Sequence, residues 1–82
     1  MKVEIFAVKT LIRWAQEEKK DEVFSGCFCD YNSAAQKVKK IRNSFDNDNY
    51  KVDVETAYQL TMTNKEKGVS VWVFIIRKEI TL

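Results

Sequence analysis

The sequence predicts an α+β domain in the order β-β-α-β-β: a four-stranded, mainly antiparallel sheet with one helix packed on one face. Three observations carry this prediction. Gly68–Arg77 is dense in β-branched and aromatic residues, Tyr50–Met62 alternates with a period of two, and Tyr31–Phe45 repeats its apolar residues at helical spacing.

The first third fits two patterns. Phe6, Val8, Thr10, Ile12 and Trp14 alternate as in a strand, whereas Val8, Leu11, Ile12 and Ala15 also form a helical stripe, and Gln16–Lys20 is good helix material. Two helices would leave the sheet with too few strands to cover. We therefore read a strand over Val3–Ala15, a turn in Glu17–Lys20 and a second strand over Glu22–Cys29. The helix over Tyr31–Phe45 follows from Ala34, Val38, Ile41 and Phe45 at i, i+4, i+7 and i+11. Asp30 can cap its first amides, or Ser33–Gln36 can form a capping box slightly later. Asp46–Asn49 stops it, because short polar side chains compete for backbone hydrogen bonds.

Next, Tyr50–Met62 reads as one half-buried strand with Val52, Val54, Thr56, Tyr58, Leu60 and Met62 on one face. Its other face holds Lys51, Asp53, Glu55, Ala57, Gln59 and Thr61. Thr63–Gly68 suits a hairpin loop with Gly68 at positive φ. Gly68–Arg77, apolar on both faces, is a central strand.

One helix covers one face of a sheet. With Leu60 facing Val71, Val69, Val71, Val73 and Ile75 lie under the helix, and Trp72, Phe74 and Ile76 point to the uncovered side beside Ala57, Gln59 and Thr61. A one-residue slip of register swaps the faces. Burying such a side chain contributes roughly 1.5–3 kcal/mol, against a total stability of about 5–10 kcal/mol for a small domain. Three wet side chains of this kind therefore call for a cover.

Composition narrows the function classes. The 82 residues make one domain, 45% hydrophobic and 32% charged, with 14 basic and 12 acidic residues for a net charge of +2. That balance argues against non-specific nucleic-acid binding as the main role. The longest apolar stretch, Val69–Ile76, falls far short of the ~20 residues a membrane-spanning helix needs. The N-terminal residues lack the apolar core of a signal peptide. Cys27 and Cys29 have strand spacing that suits free thiols in a reducing cytoplasm better than a disulfide, and no Asn-x-Ser/Thr acceptor occurs. The expected location is therefore cytoplasmic.

Catalytic constellations are missing from the pattern. There is no histidine, which removes Ser-His and Cys-His nucleophile pairs and histidine metal sites. Cys27 and Cys29 make at most half a zinc site, and two small apolar strand residues explain them better. Asp46–Asn49 starts like a calcium loop but fails at Tyr50, Lys51 and Ala57. Gly26 and Gly68 stand alone, so no phosphate loop exists. Asp53 and Glu55 would share a solvated strand face. No catalytic residue, metal or cofactor is implied.

Two surfaces remain. Lys37, Lys39, Lys40 and Arg42 lie around the exposed half of the helix, where snorkelling lysines keep a helix soluble; a patch for phosphates or an acidic partner is the sharper alternative. Trp14, Trp72, Phe74 and Ile76 are the candidate partner-binding residues, since aromatics are enriched at interface centres. The same aromatics also suit the domain's own core.

The favoured expectation is a non-enzymatic protein-binding module that occupies a larger protein partner sterically. In type, though not by any shared motif, it resembles the stand-alone inhibitors and adaptors of phages and mobile elements, including inhibitors of host defence components. A nucleic-acid-binding domain using the basic helix face or the sheet aromatics, and a homodimer packed sheet to sheet, are the alternatives.

Overall fold

In the computed structural model, which describes residues 1–15 and 20–82, the alternation of the first third is realised as strand. β1 spans Lys2–Trp14 and β2 spans Lys20–Phe28. The turn expected in Glu17–Lys20 falls mostly on residues 16–19, outside the described residues. The helix α1 spans Tyr31–Asn43, two residues shorter than its apolar stripe suggests. Asp30 is the cap: its Oδ1 accepts from the Ser33 amide at 2.7 Å and its Oδ2 from the Ser33 hydroxyl at 2.9 Å. At the other end, the Ser44 hydroxyl donates to the Ile41 carbonyl at 2.6 Å. Asp46 then closes the exit turn, its Oδ1 accepting from the Asp48 amide at 2.9 Å, as expected of a polar helix stop.

Tyr50–Met62 is two strands, not one. β3 spans Lys51–Glu55, β4 spans Gln59–Asn64, and β5 spans Val69–Thr81. The sheet therefore has five strands, in the order β2-β1-β5-β4-β3, with every neighbouring pair antiparallel. The chain reverses at Thr56-Ala57-Tyr58 without glycine, proline or asparagine. The Thr56 amide donates to the Gln59 carbonyl at 2.8 Å, and the Tyr58 amide donates to the Thr56 hydroxyl at 3.3 Å. The Tyr31 hydroxyl of α1 also donates to the Ala57 carbonyl, so a tertiary contact fixes a turn that local propensity does not mark. A bulge at Asp53 moves Val54 opposite Thr61 and away from the face of Val52.

The register sets Leu60 opposite Val73 and Met62 opposite Val71. This is two residues from the expected pairing and so preserves the faces. Beneath α1 lie Phe6, Val8, Leu60, Met62, Val69, Val71, Val73 and Ile75, all buried together with Ala34. Val38, Ile41, Phe45 and Trp14 pack around that core. Beyond the last pairing of β2 (Phe28 with Phe6) and of β4 (Gln59 with Phe74), β1 and β5 continue as a two-stranded ribbon. On its helix-side face the charges pair among themselves, Lys2 with Glu79 at 3.5 Å and Arg77 with Glu4.

Gly68 enters β5 with φ of +65°, the left-handed conformation expected of it. A Cβ there would come within 3.2 Å of the Ala15 Cβ. Gly68→Ala should therefore cost about 1–2 kcal/mol, read as a lower midpoint in urea unfolding with an unchanged slope. An unchanged midpoint would show that the loop tolerates a different backbone conformation.

Candidate functional site

Side chains alternate along a strand, and directly paired residues of antiparallel strands share a face. The register therefore maps the side of the sheet turned away from α1. One transverse row runs Glu22, Leu11, Trp72, Thr61, Val54; the next runs Phe24, Lys9, Phe74, Gln59. Cys27, Ala7 and Ile76 form a third row, and Ile5, Lys78, Val3 and Ile80 carry the face along the ribbon. Arg13, Ser70 and Thr63 bound it at the opposite end, with Lys20 and Lys51 at the two sheet edges.

Three of the four candidate aromatic and aliphatic residues come together here. Trp72 and Phe74 are half-buried by their neighbours in the sheet, and Ile76 is 37% exposed. Trp14 does not join them. It lies opposite Val69 on the helix-covered face and packs against the core. Sequence reasoning passed over Phe24, which is 65% exposed, and Leu11 and Lys9 beside the aromatics. For Lys9 and Leu11 the signal was present: if Val8, Thr10 and Ile12 face the helix, the odd-numbered residues between them face away. Phe24 is brought here by the register shift of β2 opposite Val8 and Lys9. Of the residues expected beside the aromatics, Gln59 and Thr61 are there, whereas Ala57 sits in the β3–β4 turn.

The electrostatics of this face are uneven. Lys9 pairs with Glu22 across β1 and β2, and the Thr63 hydroxyl donates to Asp53. Asp53 and Glu55 do not share a face: Glu55 turns to the helix side, where it lies 3.6 Å from Arg42. That pairing draws Arg42 out of the basic helix set. Lys39 and Lys40 are exposed and Lys37 is half-buried, with no ion pair among the described residues. Beside Glu4, whose carboxylate accepts its hydrogen bond and attracts its charge, Arg77 is held above its ordinary pKa.

A concavity of about 170 Å³ lies between α1 and the β3–β4 turn. Tyr31 and Tyr58 line it, their rings 5.4 Å apart, together with Lys39, Glu55 and Thr56. Cys27 and Cys29 are free and exposed, and Cys29 lies past the end of β2. Among the described residues no three potential metal ligands converge, and no helix is long and apolar enough to cross a membrane. The fold and this face define a small α+β domain whose antiparallel sheet is covered by its helix on one side. Comparison with protein-family models, curated proteins and solved structures gives no match in any of the three.

Proposed function

We propose that this chain is a small non-enzymatic protein-binding module that acts by steric occupation of a larger partner protein through the face of the sheet turned away from its helix. The observation that carries this reading is the row of Leu11, Trp72 and the neighbouring Phe74, Ile76 and Phe24 on a face that no other element covers among the described residues. Contiguous apolar surface of this kind marks interaction sites on small domains, and aromatic side chains supply the contact area with few torsions to freeze. Blockade of a partner needs no reacting group, which agrees with the absence of histidine. Such a mode of action suits an inhibitor or adaptor carried by a phage or mobile element and working in the host cytoplasm, for example on a host defence component.

The test is co-purification of a tagged copy from a bacterial host at low expression, with and without nuclease. A single protein retained after nuclease, and lost with an open-face variant, supports the module. Loss of every partner on nuclease treatment would replace it with nucleic-acid binding through the lysines of α1 and the sheet aromatics.

A further inference from the structure

Building on the open face as the binding surface, we infer that its partner is a protein surface that sets aspartate and glutamate side chains around apolar ones. Among the described residues the cations of this face are Lys9, Arg13, Lys20, Lys51 and Lys78. Its acids among the described residues are Glu22 and Asp53, and both are already engaged within the chain, with Lys9 and with the Thr63 hydroxyl. The apolar centre thus carries a partial ring of positive charge, Arg13 and Lys20 at one end and Lys78 at the other, with Lys51 lying among the carboxylates Asp48, Asp53 and Glu66, while the reverse side of the ribbon balances its own charges. Complementary potentials steer partners and reject wrong ones, and like charges juxtaposed across an interface cost several kcal/mol.

This pattern separates the possible occupants. A second copy packed sheet to sheet would press the same cation-ringed surface against itself. A single strand of nucleic acid would use Trp72, Phe74 and Phe24 as stacking platforms, but Lys9 separates Phe24 from Phe74, and Leu11, Ile76 and Val54 beside them offer no aromatic plane. The helix lysines lie on the other side of the sheet and cannot extend the same track of phosphate contacts. An acidic, apolar protein surface satisfies both the centre and the ring.

The experiment is an NMR chemical-shift titration of the whole chain with three probes: an amphipathic peptide with aspartate at its polar positions, the same peptide with lysine there, and an oligothymidylate. The aspartate peptide should shift the amides around Trp72 and Phe74. Its affinity should drop at least roughly tenfold in a Lys78→Glu, Arg13→Glu double variant, and fall as added salt shortens the screening length. No shift with that peptide, tighter binding of the oligothymidylate, or concentration-dependent self-association through these amides would each overturn the inference. Equal binding of both peptides, lost in Phe74→Arg, would remove the charge inference and leave the face in use. Binding of the aspartate peptide that survives a Trp72→Ala, Phe74→Ala double variant would remove the face itself.

Discussion

Phe74→Arg should weaken partner binding by roughly 30- to 1,000-fold, the 2–4 kcal/mol expected of a central aromatic anchor, while the domain stays folded. Phe74 sits between Lys9 and Gln59 in the middle of the open face. The substitution removes its ring and adds a second cation beside Lys9 at the point where an interface is driest. None of the residues buried under α1 is touched. Trp72→Ala should act in the same direction. Trp14→Ala should give the opposite signature, a lower Tm with unchanged affinity, because Trp14 packs on the helix-side core. Calorimetric Kd values for the co-purified partner, measured beside thermal melts, separate the two patterns. An unchanged Kd in Phe74→Arg would rule out the open face as the contact surface.

Met62→Ala should produce the largest loss of stability. Met62 is 1% exposed, opposite Val71 in the centre of the core. Truncating it removes buried methylene and thioether contacts and leaves a cavity, a change that costs about 2–5 kcal/mol. In a domain of this size each kcal/mol moves Tm by roughly 4–8 °C, so the melt should fall by roughly 8–40 °C. Met62→Leu, nearly equal in volume, should cost less than about 1.5 kcal/mol. A fall of only a few degrees for Met62→Ala would mean that the core closes around the gap.

Much of this architecture is written in local pattern. The helix start, the polar stop at Asp46, the positive φ of Gly68 and the two faces of β5 all follow from residue chemistry within a few positions. The break between β3 and β4 does not. Thr56, Ala57 and Tyr58 continue the alternation of their neighbours, and the turn is held by the Thr56 hydroxyl and by a tyrosine 26 residues away. Val54 changes face because of a bulge that no residue type announces. The site was legible in part for the same reason. Trp72, Phe74 and Ile76 share a face by strand parity alone, whereas Phe24 joins them only through the pairing of β2 with β1. Trp14 was grouped with them by residue type, and its strand parity sends it to the other side.

The placement of β1 and β5 has a consequence for how the chain reaches this structure. The strand that begins at residue 2 finds its central neighbour in the strand that ends at residue 81. Closing so large a loop before any contact rewards it slows folding. The β1–β2 hairpin, the first pair of strands to be synthesised, is by itself a two-stranded unit of marginal stability. During synthesis, Phe6, Val8 and Leu11 therefore wait with unsatisfied strand edges until nearly the whole domain has emerged, a state that favours aggregation. Because the open face straddles the β1–β5 seam, nascent chains lack a binding surface until the last strand docks.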